Sequence, residues 1–178
     1  MERLTRTVVL VGMMGAGKSS VGRRLATRLA VPFRDADSEI EQAAGCTVSE
    51  IFERFGEDEF RVGERRVIAR LLAEAPHVLA TGGGAFCDAE TRARIKEGAV
   101  SVWIKAPLDV LVARTGRRDT RPLLRGGDPR EILERLLAER TPLYGQADLT
   151  VDSEDGPHQA SVDRIVTALK RSGAVEAA

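Results

Sequence analysis

The stretch GMMGAGKS at residues 12–19 constrains this chain more than any other feature, because it fits the pattern G-x-x-x-x-G-K-[ST]. The apolar run TVVLV at 7–11 comes directly before it. A buried strand is therefore predicted to lead into the loop, and a helix that begins near Lys18 is predicted to leave it. A plain glycine-rich turn is the alternative, but strand, loop and helix occur in the order that a phosphate-binding loop requires.

This loop predicts a binding site for a nucleoside triphosphate. Gly12, Gly15 and Gly17 permit backbone angles that turn successive N–H groups toward one point, where the helix N-terminus adds partial positive charge. Lys18 would reach the β- and γ-phosphate oxygens, and Ser19 would offer a hydroxyl ligand to Mg²⁺. The loop does not identify the molecule that receives the phosphoryl group.

Composition limits the possible partners. The 178 residues fit a single domain, 1–178, and the 27 Lys and Arg residues balance the 27 Asp and Glu residues. With no net charge to attract nucleic acid or an anionic membrane, we expect small-molecule substrates. We also expect a monomer, although no sequence feature bears on oligomeric state. Asparagine is absent, so the N-K-x-D box of switch GTPases is excluded. Two cysteines are too few for a disulfide framework and no long apolar segment leads the chain, so we expect a cytoplasmic protein.

Strand and helix patterns alternate along the chain. Besides the strand before the loop, short apolar runs predict strands at 31–34, 77–80, 100–104 and 149–151. Helical patterns occupy 19–29, 40–44, 48–55, 57–75, 88–96, 108–114, 129–144 and 162–170, with Gly56 separating the third from the fourth. The alternation predicts an α/β fold, a parallel sheet with helices on both faces. The arginine-rich segment 116–128 lacks apolar periodicity and is predicted to be a mobile lid.

Phosphoryl transfer needs a carboxylate near the metal ion, and the strand at 77–80 ends on Thr81 without one. The nearest acids are Asp35 and Asp37, which follow the second predicted strand. In an extended chain an Asp-x-Asp pair places both side chains on one side, so one could face the metal and the other an acceptor hydroxyl. Alternatively, Asp37 only caps a helix that opens at Ser38.

Two further groups could serve an acceptor. Glu64 lies three residues after Arg61 and could hold its guanidinium, although an exposed helix pair, also available through Glu57, explains the same spacing. Residues 82–84 are three glycines at the carboxyl end of a predicted strand, where a ligand could approach the backbone. A plain turn is the alternative.

Aromatic residues and histidines receive more ordinary interpretations. Phe52, Phe55 and Phe60 are predicted to belong to the core, with one or two of them lining a small pocket. His77 and His158 have no recognisable spacing and are assigned no role.

Taken together, these motifs resemble the shikimate kinase family, small phosphate-loop proteins related to nucleoside-monophosphate kinases. The resemblance is carried by GMMGAGKS at 12–19, DAD at 35–37, GEDEFRVGE at 56–64, GGGA at 82–85, RPLL at 121–124, RTPLY at 140–144 and VDS at 151–153. It implies a three-layer α/β sandwich whose five-stranded parallel sheet has the order 2-3-1-4-5. It also implies transfer of the γ-phosphoryl group of ATP to the 3-hydroxyl of shikimate, a step toward chorismate and the aromatic amino acids.

The resemblance also implies a role for each matching residue. Lys18, Asp37 and Arg121, the last from the lid, would be catalytic. ATP would be held by Gly12, Gly15, Ala16, Gly17, Lys18, Ser19, Ser20, Arg114 and Arg121, with Arg114 against the adenine. Shikimate would be held by Asp37, Arg61, Gly82, Gly83, Gly84 and Arg140. Ser19 and Asp35 would serve Mg²⁺.

Two other functions are alternatives to this one. A kinase of another small polyol acid, such as gluconate, would share the phosphate loop and the lid. It would have no particular need for Asp35, Asp37, Arg61 and Arg140 together. A nucleotide-dependent switch or adaptor is disfavoured by the missing N-K-x-D box and by the missing acid at the end of the strand at 77–80.

Overall fold

A computed structural model of the chain describes residues 2–116, 126–154 and 156–177. The strands are β1 Glu2–Leu4, β2 Thr7–Val11, β3 Phe33–Asp35, β4 Val78–Ala80, β5 Ala99–Lys105, β6 Leu149–Asp152 and β7 Val175–Ala177. The helices are α1 Lys18–Leu29, α2 Ala36–Ala44, α3 Val48–Leu72, α4 Ala89–Gly98, α5 Leu108–Thr115, α6 Pro129–Tyr144 and α7 His158–Arg171, with a 3₁₀ turn at Ala85–Cys87. Within these ranges no helix is both long and apolar enough to cross a membrane. Most of the predicted lid, including Arg121, lies outside the described residues.

Five parallel strands form the central sheet in the order β3-β4-β2-β5-β6. Numbered among these five strands alone, this is the predicted order 2-3-1-4-5, so the predicted α/β fold with its parallel sheet is confirmed. Every residue of β2 is buried, and only the last residue of β5 is exposed. Continuous burial is what helices on both faces of a parallel sheet produce.

The direction of each crossover decides the face on which its helix lies. The chain moves toward the β3 edge between β2 and β3, and toward the β6 edge in every later crossover. Because right-handed crossovers in opposite directions place their helices on opposite faces, α1 lies on one face and α3 and α4 on the other. Accordingly, α1 packs against α7 while α3 packs against α4.

A second, two-stranded sheet was not predicted. Here β1 pairs antiparallel with β7, with Leu4 opposite Val175 and Glu2 opposite Ala177. The Glu2 carboxylate accepts from Arg28 at 3.0 Å and from Lys170 at 2.5 Å, which fastens this ribbon to α1 and α7. Each of these two strands buries only one residue, so neither contains the apolar run by which the equally short β3 and β4 were predicted.

The predicted break at Gly56 is a kink inside α3. Gly56 has φ 82° and ψ 171°, a left-handed φ that favours glycine. Phe52 and Phe60 approach each other across the kink, with ring centroids 4.8 Å apart. Phe55 does not enter the core as predicted, because its side chain is 61% exposed beside the kink.

Candidate active site

The carboxyl ends of β2, β3 and β4 deliver their following segments to one cavity. It has a volume of about 410 Å³. Its lining includes, from the predicted site, Gly15, Gly17, Lys18, Ser19, Ser20, Asp35, Asp37, Arg61, Gly82, Gly83, Gly84, Arg114 and Arg140. Gly12 and Ala16 are buried and do not line it. Open α/β sheets bind ligands at this edge, so the fold gathers the predicted residues where a ligand is expected.

The phosphate loop is held in shape by its own lysine. Lys18 is the first residue of α1, is 9% exposed, and donates from Nζ to the carbonyls of Gly12 at 2.7 Å and Met13 at 2.9 Å. Gly12 has φ 142°, and a Cβ there would lie 2.6 Å from the carbonyl oxygen of Ile104. Only glycine fits that position, because a backbone carbonyl of β5 cannot move aside.

Asp35 connects the phosphate loop to α2. Its Oδ2 accepts from the Ser19 hydroxyl at 2.7 Å, and its Oδ1 accepts from the backbone N–H groups of Asp37 at 3.1 Å and Ser38 at 3.3 Å. Asp35 is therefore the N-cap of α2. The predicted capping alternative for Asp37 is wrong, because the helix begins at Ala36.

Asp37 reaches the cavity by a different geometry from the predicted one. It lies in the first turn of α2, not in extended chain after β3. The alternation of side chains along a strand therefore does not apply to the Asp35–Asp37 pair. Both carboxylates nonetheless face the cavity, because the helix starts directly at the end of the strand.

Charged side chains pack closely against the three successive glycines. A Cβ on Gly82 would lie 3.0 Å from Asp37 Oδ1 and 3.4 Å from Glu64 Oε2. A Cβ on Gly83 would lie 3.0 Å from Arg140 Nη1, and one on Gly84 2.7 Å from Arg61 Nη1. The segment thus passes from an acidic to a basic environment, and glycine is needed for space because none of the three has a left-handed φ.

Arg61 is held by two carboxylates, as its spacing predicted. Its Nη1 donates to Glu64 Oε1 at 2.8 Å and its Nη2 to Glu57 Oε1 at 3.3 Å. Glu64 is buried, and its second oxygen has no hydrogen-bond partner in the described part of the chain. Burial raises the pKa of Glu64 and the nearby Asp37 adds to the rise, against the opposing attraction of Arg61.

Arg140 comes from α6 and carries an unused donor. The residue is 8% exposed, and its buried Nη1 has no hydrogen-bond partner among the residues described. One turn later Tyr144 is fully buried and donates its hydroxyl to the carbonyl of Gly83. The sequence singled out Arg140 but gave no role to Tyr144, whose only signal is its place at the end of the RTPLY motif.

Arg114 and His158 border the cavity at the phosphate loop. Arg114 Nη1 donates to the carbonyls of Gly15 at 3.3 Å and Ala16 at 3.0 Å. The His158 ring lies beside it, 3.1 Å from where a Cβ of Gly17 would be. Burial lowers the pKa of His158, and the charges of Arg114 and Arg24 lower it further. His158 was missed because a lone histidine has no spacing to mark it.

The family model described as "Shikimate kinase" matches residues 14–170. The chain belongs to the shikimate kinase family. The shikimate kinase of Caulobacter vibrioides strain NA1000 is 59% identical over 169 residues, covering 95% of this chain and 84% of the relative. Among solved structures, shikimate kinase from Acinetobacter baumannii in complex with shikimate has a TM-score of 0.91 and 38% identity, covering 94% of each chain.

The alternative kinase class is represented more distantly. A gluconokinase from Sinorhizobium meliloti matches with a TM-score of 0.63 and 21% identity, covering 96% of this chain and 98% of that one. A likeness at that identity concerns the fold alone. The shikimate kinase family therefore accounts for both the fold and the sequence, whereas the gluconokinase shares the fold.

Proposed function

We propose that this chain transfers the γ-phosphoryl group of ATP to the 3-hydroxyl of shikimate, giving shikimate 3-phosphate and ADP in the route to chorismate and the aromatic amino acids. One observation carries the proposal. Arg140 presents a buried Nη1 without a hydrogen-bond partner in the described ranges, inside the cavity that the phosphate loop also lines. Such a donor costs free energy unless a ligand accepts from it, and a carboxylate is the acceptor that a guanidinium binds best.

The acceptor half of the cavity has two poles that match the two ends of shikimate. Arg61 and Arg140 lie beside Gly83 and Gly84 and would bind the carboxylate. Asp37 lies beside Gly82 and would accept from the ring hydroxyls. The three glycines allow the substrate to approach the backbone between these poles. Electrostatic complementarity thus sets the orientation of the acceptor, with its hydroxyls toward the acidic pole.

The nucleotide half of the cavity would hold the phosphates. The loop is shaped by Gly12, Gly15, Ala16 and Gly17, and Ser20 also lines the cavity. Lys18 would exchange its hydrogen bonds to two loop carbonyls for hydrogen bonds to phosphate oxygens. Arg114 would lie against the adenine, next to the carbonyls that it already binds. Arg121 would approach from the lid toward the transferring phosphoryl group.

The residues present fit a magnesium ion. Ser19 and Asp35 bring a hydroxyl and a carboxylate oxygen within 2.7 Å of each other beside the loop. The described residues contain no group of three or more His, Cys, Asp or Glu side chains that could hold a metal alone. This suits Mg²⁺, which uses one or two protein oxygens together with substrate phosphates and water. When bound, the ion neutralises phosphate charge.

The chain's own residues would act mainly by position and charge. Lys18 and Arg121 would stabilise the negative charge of the transferring group. Asp37 would orient the acceptor hydroxyl and hold or take its proton. Asp37 lies near Glu64, and its charge adds to the burial that raises the pKa of Glu64.

The setting of the enzyme is part of the same proposal. We infer a cytoplasmic monomer of one domain that acts on shikimate and ATP, without a nucleic-acid or membrane partner. The balance of 27 basic and 27 acidic residues supports the absence of a nucleic-acid or membrane partner, because it leaves no net charge to attract a polyanion.

A coupled assay of ADP release tests the function. ATP consumption should rise at least tenfold on adding shikimate and should not respond to gluconate. The methyl ester of shikimate should be a very poor acceptor, because it removes the charge that Arg61 and Arg140 would bind. Equal turnover of ester and acid would remove the basis of the shikimate assignment, and stimulation by gluconate alone would support the other kinase class.

A further inference from the structure

The hydroxyl of Tyr144 has no part in the function proposed above. It belongs to the only tyrosine of the chain, at the end of α6, and its ring packs 5.8 Å from that of Trp103. The side chain is fully buried. Phenylalanine would fill the same space, and burying a hydroxyl costs free energy unless it is hydrogen-bonded, so the hydroxyl needs an explanation of its own.

That hydroxyl joins two segments that are far apart in sequence. It donates to the carbonyl of Gly83, and it lies 3.8 Å from Sδ of Met13 in the phosphate loop. Burial raises the pKa of Tyr144 well above its ordinary value of 10.0. The phenol therefore keeps its proton at neutral pH and remains a hydrogen-bond donor.

The carbonyls of the three glycines are fixed in different ways. Gly82 accepts from the N–H of Ala85 at 3.2 Å and Gly84 from the N–H of Cys87 at 3.1 Å, so both are held by the local turn. The Gly83 carbonyl is held by a side chain from another element, Tyr144. Three successive glycines have more backbone freedom than any other sequence, so this anchor restricts the segment where local bonds do not.

Gly83 lies between the two halves of the cavity. A Cβ on it would be 3.0 Å from Arg140 Nη1 and 3.4 Å from the backbone nitrogen of Met14. Arg140 is one helical turn before Tyr144 on α6, so the same helix supplies the guanidinium and the anchor. Because a peptide bond is planar, fixing the Gly83 carbonyl also sets the direction of the Gly84 N–H.

We propose that Tyr144 is a positioning residue, which holds the Gly83–Gly84 peptide in register with Arg140 so that the acceptor carboxylate meets a preformed site. This rests on the proposed function, in which that carboxylate binds Arg61 and Arg140. Tyr144 does not touch the reacting groups. Its contribution is to the binding of the acceptor and not to the binding of ATP.

Kinetics of Tyr144→Phe test the proposal after shikimate-dependent turnover of the wild type is measured. The variant should raise the KM for shikimate about threefold to tenfold, the worth of one hydrogen bond, and leave the KM for ATP within about twofold. With the methyl ester as acceptor, the KM values of variant and wild type should differ less, because the ester binds the carboxylate site weakly. A purely structural hydroxyl would shift both KM values together or neither, and either result overturns the proposal.

Ser101→Ala is the matched control. Ser101 is fully buried on β5, and its hydroxyl contacts Asp148 Oδ2 at 3.2 Å, away from the cavity. It should lower stability without changing the KM for shikimate. A wild type that ignores shikimate would refute the proposed function, whereas an active wild type with an unchanged Tyr144→Phe variant would refute only the role of Tyr144.

A second measurement tests the role of Tyr144 even if Tyr144→Phe does not fold. Because Tyr144 is the only tyrosine, 3-fluorotyrosine labels this position alone in the otherwise unchanged protein. Its ¹⁹F resonance should shift on saturation with shikimate and shift less with ATP. A resonance unmoved by shikimate would overturn the positioning role.

Discussion

The nucleotide half and the acceptor half of the cavity differ in how far their polar groups are satisfied by the protein itself. In the nucleotide half, Lys18 donates to two loop carbonyls and Ser19 donates to Asp35. In the acceptor half, Arg140 Nη1 and Glu64 Oε2 are buried without hydrogen-bond partners among the described residues. A buried unpaired polar group costs about 1–3 kcal/mol, so the acceptor half gains more from a ligand that pairs it.

The halves also differ in their origin in the chain. The phosphate loop and the start of α1 form one continuous stretch, whereas the acceptor residues come from α2, α3, the segment after β4, and α6. Local backbone geometry therefore shapes the phosphate loop itself, whereas packing between elements brings Arg114 and His158 to it and assembles the acceptor half. We expect substitutions in the nucleotide half to lower the rate of phosphoryl transfer and substitutions in the acceptor half to weaken acceptor binding.

The largest effect is expected in the nucleotide half. Lys18→Met should lower turnover by about 10³-fold or more, because it removes a point charge from the transferring phosphoryl group and keeps the volume of the stem. Turnover with shikimate and the thermal melting midpoint would both be measured. Lys96→Met, at an exposed position of α4, is the control. A melting midpoint of Lys18→Met far below that of the wild type would show that Lys18 stabilises the fold, so its effect could no longer be assigned to phosphoryl transfer.

In the acceptor half a smaller and more selective effect is expected. Arg61→Lys and Arg140→Lys should each raise the KM for shikimate at least about tenfold with little change for ATP, since lysine cannot grip a carboxylate with two parallel hydrogen bonds. Steady-state kinetics with each substrate varied would show this. Arg65→Lys is a matched control on α3, where Arg65 pairs with Asp88 at 3.1 Å. Comparable losses for ATP would mean that the halves are not independent.

Glu64 gives the acceptor half a pH dependence of stability. Its pKa is raised above 4.5 by burial, so the folded state holds the proton more tightly than the unfolded chain. The resulting stabilisation is present below pH 4.5 and is lost as the pH rises through the raised value. The free energy of unfolding of the wild type, measured with denaturant, should therefore fall with rising pH relative to that of Glu64→Gln. Glu59→Gln, at an exposed position of α3, is the control. A wild type that gained stability relative to Glu64→Gln as the pH rises would contradict the assignment.

The smallest effect should come from His158 in the nucleotide half, with the opposite sign. Its pKa is lowered from 6.5 by burial and by Arg114 and Arg24, so the unfolded chain binds the proton more tightly. Its contribution to stability is present above pH 6.5 and is lost as the pH falls through the lowered value. NMR titration of the ring should give a pKa below 6.5. Relative to His158→Gln, the wild type should lose free energy of unfolding as the pH falls. A measured His158 pKa above 6.5 would disprove the effect.

The same contrast explains how much the sequence could predict. The phosphate loop and the interruption at Gly56 were predicted from a contiguous pattern and from a glycine. The strand order was implied by the resemblance to the shikimate kinase family and is confirmed. The family and its kinase activity were also predicted, and the comparisons confirm them. The roles of individual site residues stay predictions.

Other features depend on packing that no local pattern encodes. Asp37 was placed in extended chain, but α2 begins one residue earlier because Asp35 caps it. Phe55 was assigned to the core, although the turn at Gly56 directs it to solvent. Tyr144 lies in the site because α6 packs against the 3₁₀ turn after β4, and His158 because α7 begins beside Gly17. The β1–β7 ribbon was missed because each of its strands buries one residue and contains no apolar run.

The bonds from Lys18 to its own loop have a consequence for the entropy of binding. A free lysine side chain has about 2 kcal/mol of rotamer entropy, and a ligand that orders it must supply that free energy. Here the carbonyls of Gly12 and Met13 already restrict the ammonium, so folding has fixed the side chain before a nucleotide arrives. An incoming phosphate then exchanges one set of acceptors for another on an ordered lysine. We expect the association to carry a smaller ordering cost than it would with a mobile lysine.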